Sequence, residues 1–180
     1  MSEVFNLFDG ELDDERDRPG FSWRRAMVGA KIGAEKLGAS LYELQPGEKT
    51  FPYHYEYGVE EWLLCVAGRP TLRVPAGERE LRPGHVVCFR EGPEGAHQVR
   101  NDTDEPVRVL IASTKQIPDA AVYPDSGKIG IWTGNDADPP RLFKLGTTST
   151  TGTARASGRR SRRSAPARPQ ACAPHVSPRR

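Results

Sequence analysis

The sequence has few cysteines, no long apolar run and, in its last 35 residues, no acidic residue at all. Three cysteines without close spacing exclude a disulfide framework, and the apolar runs around Cys65 and Cys88 predict that both are buried. No run approaches the roughly 20 apolar residues that span a bilayer. The N-terminus also lacks the basic and then apolar order of a signal peptide. We therefore expect a cytoplasmic protein without a membrane partner.

The charged residues are distributed unevenly along the chain. Of the 26 lysines and arginines, eight arginines lie in residues 146–180, whereas all 24 acidic residues precede that segment, so residues 1–145 carry a formal net charge of −6. Residues 146–180 consist mainly of Thr, Ser, Gly, Ala, Pro and Arg, and they offer too little apolar surface to offset the entropy of ordering. We expect a disordered tail and, because the basic excess lies only there, no nucleic-acid partner.

Two hypotheses account for the arginine-rich tail. One is nucleic-acid binding through phosphates. The other, which we favour, is a frameshift: a GC-rich gene encoding Asp-Asp-Val-Asp-Tyr-Trp-Asp-Gly, read one base out of frame, yields the Thr-Thr-Ser-Thr-Thr-Gly-Thr-Ala of residues 147–154. A tail of that origin would carry no evolved function. The nucleotide sequence around Gly146 in all three frames tests this hypothesis.

Short strands separated by turns predict an all-β fold. Turn signals recur about every eight to twelve residues from residue 39 onward, which is typical of a sandwich or barrel. Residues 21–38 are ambiguous, because 21–30 have strand composition while 30–37 could form two helical turns ending at Gly38. The predicted strands of the barrel are 40–44, 51–57, 60–66, 71–74, 86–90, 97–100, 107–113 and, as the last, 128–132.

Residues 47–68 hold an unusual density of groups that can bind a metal. In an extended chain His54 and Glu56 point to one side, while the three tyrosines between Pro52 and Gly58 point to the other. A second alternating run places Glu61 on one face with Leu63 and Cys65. His97 follows a Pro/Gly turn at the start of another predicted strand. The candidate metal ligands are therefore His54, Glu56, Glu61 and His97.

These positions resemble the paired motifs of the cupin superfamily. The matching residues are Gly47, His54, Glu56, Glu61 and Gly68 in the first motif and Pro93, Gly95, His97 and Asn101 in the second. The sequence departs from the motifs at two places. Glu56 stands where a second histidine is usual, and only Ala96 separates Gly95 from His97, where two residues are common.

The wider resemblance, to small single-domain bacterial cupins of mostly unassigned reaction, covers about residues 3–145. It implies a double-stranded β-helix, a jelly roll of two sheets. The expected organisation is an N-terminal arm or strands packing on the barrel in residues 1–38, the cupin β-barrel in 39–145 and the disordered tail in 146–180. Exposed edge strands and an aromatic outer face further predict a homodimer.

The ligand set indicates the chemistry. Two imidazoles with one or two carboxylates suit one divalent Mn, Fe, Ni or Zn ion. Cupins with similar sites carry out isomerisation, decarboxylation or dioxygenation, so the resemblance implies a metal-binding domain that holds or transforms a small polar molecule in the barrel cavity. One alternative is a non-catalytic module that binds a small ligand without metal. The other is a structural dimer with a degenerate site, for which Glu56 is the best argument. No catalytic residue is assigned.

The remaining polar and aromatic residues near the motifs are expected to have other roles. Glu60 and His85 are predicted at the surface. The aromatic side chains on the opposite strand faces are predicted to face away from the cavity: Tyr53, Tyr55, Tyr57 and Trp62. An anionic substrate would be bound by residues such as Gln98, Arg100 and Arg108 only if they line the mouth of the cavity.

Overall fold

A computed structural model describes residues 3–135 and 137–147 of the chain. Short antiparallel strands make up most of the regular structure, which confirms the predicted all-β class. They are accompanied by one helical turn, α1 (Val28–Lys31), and by 3₁₀ turns at Pro93–Gly95, Pro124–Ser126 and Leu145–Thr147. The strands are β1 (Asp14–Arg16), β2 (Trp23–Ala26), β3 (Leu37–Leu44), β4 (Tyr55–Glu56), β5 (Glu61–Ala67), β6 (Thr71–Val74), β7 (Gly77–Glu80), β8 (Val86–Phe89), β9 (Gln98–Arg100), β10 (Val107–Thr114), β11 (Asp119–Tyr123), β12 (Lys128–Trp132) and β13 (Arg141–Lys144).

The strands form three antiparallel sheets. The largest has the order β1-β2-β3-β10-β5-β8, and the others have the orders β13-β12-β11-β4 and β7-β6-β9. Half of the neighbouring pairs join strands that are not consecutive in the sequence; β10, for example, pairs with both β3 and β5. This crossing connectivity, with almost no helix, is that of the double-stranded β-helix predicted from the sequence.

The core lies between the sheets and follows the alternation of each strand. In β10, Val107, Val109 and Ile111 are buried, whereas the residues between them are partly exposed. In β5, Leu63 and Cys65 point to the same side and are fully buried. Leu72 of β6 and Val99 of β9 belong to the same apolar cluster. The alternating pattern therefore places one face of every central strand in a single core.

A second, smaller cluster covers the outer face of the six-stranded sheet. Leu12, Val28 and Val66 are buried in it, with Phe5 and Leu7 packed against them. The N-terminal residues thus dock on the sheet, although Val4 and Phe8 of the same segment remain exposed. β1 and β2 continue this sheet through the pairing of β2 with β3.

Several local predictions need correction. Residues 28–31 form one helical turn and Gly38 lies within β3, so the helical alternative for residues 30–37 was wrong. The strand at 128–132 is not the last, because β13 pairs with it. Cys65 is buried as expected, but Cys88 is exposed. Its burial was wrongly predicted because Val87 and Phe89 of β8 point toward the core, whereas the Cys88 side chain between them points outward.

The motif asparagine, Asn101, holds a loop in place. Its Nδ2 donates hydrogen bonds to the carbonyl oxygens of Leu44 (3.0 Å) and Glu105 (2.8 Å), and its Oδ1 accepts hydrogen bonds from the backbone N–H and the hydroxyl of Thr103. Asn101 is completely buried, so these bonds satisfy polar groups that water does not reach. The asparagine therefore ties the loop before β10 to the end of β3.

Within the part of the chain that the structure describes, no helix has the length and hydrophobicity needed to cross a membrane. The predicted disordered tail and the frameshift hypothesis concern residues that lie almost entirely outside the described ranges, from residue 148 onward.

Candidate metal site

Two histidines that are distant in the sequence meet through their backbones. The N–H of His54 donates to the carbonyl oxygen of His97 (3.1 Å), and the N–H of His97 donates to that of His54 (2.8 Å). This reciprocal pair is an isolated β-bridge, and it brings the two imidazole centroids to 4.8 Å. Both residues are buried. The fold therefore joins the two motif segments at these histidines.

Backbone carbonyls fix the orientation of both imidazoles. Nδ1 of His54 lies 2.9 Å from the carbonyl oxygen of Pro52, and Nδ1 of His97 lies 3.0 Å from that of Gly95. Because a carbonyl oxygen only accepts hydrogen bonds, each Nδ1 must carry the proton. In the neutral imidazoles the lone pair is then on Nε2, the tautomer that a metal ligand of this kind requires.

Glu61, the first residue of β5, completes a compact group with the two histidines. Ligand atoms of His54, Glu61 and His97 all lie within 4.8 Å of one another. The closest approach is 3.3 Å, between Nε2 of His97 and Oε2 of Glu61. A lone pair on Nε2 and a carboxylate oxygen repel each other at this distance unless a proton or a metal cation lies with them. The donor set therefore fits a bound cation.

Burial keeps His54 in its neutral form. Desolvation is the main cause that lowers the pKa of His54 to about 4, and the nearby His97 lowers it further, while Glu61 and the carbonyl of Pro52 act in the opposite direction. Below that pKa the imidazole is charged, and above it the imidazole is neutral. His54 is therefore ready to bind a metal across the whole neutral pH range.

Glu56 lies in the same cavity but outside the group of three. It is in β4, opposite Ala121 of β11, and its Oε2 is buried without a hydrogen-bond partner among the described residues. Burial first, and then the negative charges of Glu61 and Asp119, raise the pKa of Glu56 to about 8. A cation bound beside Glu56 would oppose these effects and satisfy the unpaired oxygen.

A cavity of about 600 Å³ opens over these groups. His54, Glu56, Glu61 and His97 all line it. The ring of Phe89 stacks on His97 with centroids 3.8 Å apart, and the ring of Tyr123 stacks on His54 at 5.8 Å. These aromatic contacts fix the planes of the imidazoles and shield them from water. Several other lining residues come from β1, the turn at Pro124–Ser126, β12 and the start of β13 with the residue before it: Arg16, Ser126, Lys128, Trp132, Pro140 and Arg141.

The other predicted residues lie away from this cavity. Glu60 and His85 are exposed, as expected from the sequence. Tyr57 and Trp62 are also exposed, and Tyr53 is buried under the guanidinium of Arg73 at 3.9 Å. The three candidates for binding an anion are engaged elsewhere: Gln98 donates to the carbonyl of Phe51, Arg100 pairs with Glu78 and Asp102, and Arg108 pairs with Glu43.

The sequence analysis did not identify three residues of the cavity: Tyr123, Arg16 and Lys128. Arg16 and Lys128 lie in strands far from both motifs. A turn at Pro124–Ser126, with Gly127 in the left-handed conformation, joins β11 to β12. That turn brings Lys128 directly opposite Tyr123 in the β11–β12 pair, so the hairpin was the available signal for both residues.

Comparison with known proteins supports this description of the fold. The family model described as a cupin domain matches residues 40–113. A search of the curated proteins finds no match. The structure is similar to that of a protein from Acidithiobacillus ferrooxidans, with 21% identity and a TM-score of 0.70 over 76% of this chain and 87% of that one.

Two further structures are similar to this chain. One is a sugar phosphate isomerase of a cupin superfamily from Silicibacter pomeroyi, with 25% identity and a TM-score of 0.64 over 74% of this chain and 82% of that one. The other, from Klebsiella pneumoniae, is an uncharacterised protein with a double-stranded β-helix domain, with 14% identity and a TM-score of 0.50 over 65% and 93% of the two chains.

Proposed function

Because the chain is a member of the cupin superfamily, we propose that it binds one divalent metal ion through His54, Glu61 and His97. The observation that carries this proposal is the contact of 3.3 Å between Nε2 of His97 and the Glu61 carboxylate, at a nitrogen whose ring is already protonated on Nδ1. A cation between these atoms turns a repulsive contact into a coordination site. Mn, Fe, Ni and Zn suit this set of nitrogen and oxygen donors.

We also propose Glu56 as a fourth ligand, in the position where a second histidine is usual. Support comes from its buried, unpaired Oε2 in the same cavity and from the electrostatic influence of Glu61 on its pKa. A second carboxylate adds a negative charge to the ligand set. It should therefore favour a harder ion such as Mn or Fe over a softer one.

The cavity around this site is proposed to hold a small polar molecule. Its volume of about 600 Å³ lies within the range for small-molecule sites. The S. pomeroyi isomerase, at 25% identity, favours isomerisation of a sugar phosphate as the reaction. A bound divalent metal would supply Lewis acidity toward a ligand oxygen. The protein itself would hold both imidazoles in place through the Pro52 and Gly95 carbonyls and exclude water with the rings of Phe89 and Tyr123.

Isomerisation needs no co-reactant. Conversion of an aldose to a ketose moves one hydrogen from C2 to C1 and one from the C2 hydroxyl to the C1 carbonyl oxygen. Both transfers are proton transfers, and the electron pairs shift within the substrate from the C2–H bond to the new C1–H bond. The alternative is a non-catalytic module that binds a small ligand in the same cavity.

The enzyme is expected to convert at least one member of a panel of three- to six-carbon aldose and ketose phosphates. Metal-loaded protein is incubated with each compound in D₂O, and NMR follows the loss of the exchangeable carbon-bound hydrogen and the growth of the isomer. A His97→Ala protein, treated identically, should show no conversion. A compound that raises the melting temperature of the wild type without being converted would instead support the binding module.

We propose that the protein forms a homodimer through the outer face of β5 and β8. β8 is an edge strand of the largest sheet, and Trp62 and Val86 on this face are each 56% exposed. Cys88 lies directly opposite Trp62. An antiparallel pair of β8 strands about a two-fold axis would cover the edge and this apolar patch together.

Light scattering after size exclusion is expected to give twice the 19.9 kDa mass of one chain. Trp62→Gln should shift the equilibrium toward monomer, because it removes the largest apolar side chain of the patch. Val4→Gln is the matched control, since Val4 is 93% exposed and lies in the N-terminal segment. A monomeric wild type at micromolar concentration would refute the dimer.

The cytoplasmic location and the absence of a nucleic-acid partner stay predictions.

A further inference from the structure

The cavity that contains the candidate metal ligands also contains three cationic residues. Arg16 is the last residue of β1, Lys128 is the first of β12, and Arg141 is the first of β13. Arg141 pairs with Asp138 at 2.6 Å. Arg16 and Lys128 form no ion pair with a carboxylate in residues 3–135 and 137–147. Within these described ranges, two cations of the cavity thus have no carboxylate as an ion-pair partner.

These unpaired cations contrast with Arg73 and Arg100, which line a second cavity. Arg73 makes two hydrogen bonds to Asp125, and Arg100 makes two to Glu78 and two to Asp102. The second cavity therefore already holds carboxylates that pair with both arginines, namely Glu78 and Asp125. Lys49 and Lys128 line it as well. Among the arginines that line the two cavities, Arg16 is the one without an ion pair to a described carboxylate.

Tyr123 connects the cationic residues to the candidate metal site. Its ring stacks on His54, and Lys128 is its direct partner across the β11–β12 hairpin. Arg16 and Lys128 thus line the same cavity as the candidate metal ligands, where one ligand would meet both groups.

We propose that Arg16 and Lys128 bind the phosphate group of a phosphorylated sugar or polyol whose hydroxyl-bearing end lies at His54, Glu61 and His97. This inference rests on the proposed function and identifies which residues select its substrate. A phosphate monoester carries about −1.5 to −2 charges at neutral pH, which matches two unpaired cations better than a single carboxylate does. Arginine and lysine are the side chains that most often bind phosphate.

The inference is tested by calorimetric titration of metal-loaded protein. Ribose 5-phosphate and glucose 6-phosphate are compared with ribose, glucose and inorganic phosphate. Wild type should bind a phosphorylated sugar at least about 10-fold more tightly than the same sugar without phosphate. Arg16→Gln and Lys128→Gln should each weaken binding of the phosphorylated sugar about 10- to 100-fold and leave binding of the free sugar unchanged, since each removes one charge-assisted contact. Inorganic phosphate should compete with the sugar phosphate in wild type and lose this ability in the double variant.

Arg79→Gln is the matched control, because Arg79 is an exposed arginine of β7 that lines neither cavity. Circular dichroism and metal content, measured on every sample, show whether each variant is folded and loaded. Equal affinity for sugar and sugar phosphate in metal-loaded wild type, or variants that bind the phosphate ester as wild type does, would overturn the phosphate site while leaving the metal site intact. A wild type that takes up no metal would instead overturn the proposed function.

Discussion

His97→Ala is expected to reduce the affinity of the protein for a divalent metal by at least about 100-fold. Loss of a residue that only supports a metal ligand commonly costs 10- to 100-fold, and loss of the ligand itself should cost more. Nε2 of His97 lies 3.3 Å from the Glu61 carboxylate, so the variant removes one of two donors that lie close together in the site. His54→Ala should have a similar effect, because its Nε2 belongs to the same group. Competition with a chromogenic chelator measures both affinities.

His85→Ala is the matched control for these variants. His85 is exposed at the turn before β8, where its ring accepts a hydrogen bond from the N–H of Arg82, and it does not line the cavity. Its substitution should leave the metal affinity within about twofold of wild type.

If Glu56 is the fourth ligand, Glu56→Gln should weaken metal binding by about 10-fold, which is less than the loss expected from His54→Ala or His97→Ala. An affinity equal to that of wild type would place Glu56 outside the coordination sphere.

Gly95→Ala is expected to destabilise the protein by about 3 kcal/mol or more and to weaken metal binding as well. A Cβ at position 95 would lie 1.8 Å from the backbone carbonyl oxygen of Arg90, so the backbone itself must shift. The carbonyl of Gly95 also accepts the hydrogen bond that orients the His97 imidazole. Displacing this turn therefore disturbs the ligand, with an expected 10- to 100-fold loss of metal affinity.

Urea unfolding of the metal-free protein separates the two effects of Gly95→Ala from each other, because it measures the steric cost without the metal. Gly146→Ala serves as the control: a Cβ there meets nothing within 4 Å, and its φ is not in the left-handed region. Its free energy of unfolding should stay within about 0.5 kcal/mol of wild type. A Gly95→Ala protein as stable as this control would show that the turn adapts and that close packing does not require the glycine.

The sequence was informative where one strand face is buried and the other is not. The alternating sequence pattern around His54 and Glu61 predicted which side chains share a strand face. In a half-buried strand every second residue points to the same side, so few other arrangements of the side chains fit the pattern. β7 and β13 were missed for the opposite reason. All four residues of each strand are exposed, so neither has the buried face that produces an alternating pattern. The prediction for Cys88 was wrong for another reason: β8 is an edge strand that buries Val87 and Phe89 but leaves its other face, which carries Cys88, uncovered.

The candidate metal site was accessible from local spacing, whereas the cationic part of the cavity was not. His54 and Glu61 are seven residues apart, and the motif resemblance connected them to His97. Arg16 and Lys128 are 112 residues apart and belong to strands of different sheets. Their convergence depends on how those sheets are arranged around the cavity. Lone cations in amphipathic strands otherwise look like ordinary solvated charges.

The central claim is that His54, Glu61 and His97 bind one metal ion together. Anomalous diffraction from crystals of the metal-loaded protein tests it most directly, with data collected on both sides of the metal absorption edge. We predict one anomalous peak per chain at about 2.0–2.3 Å from Nε2 of His54, Nε2 of His97 and an oxygen of Glu61. A loaded protein whose peak lies elsewhere, or one that shows no peak at this position, would contradict the account.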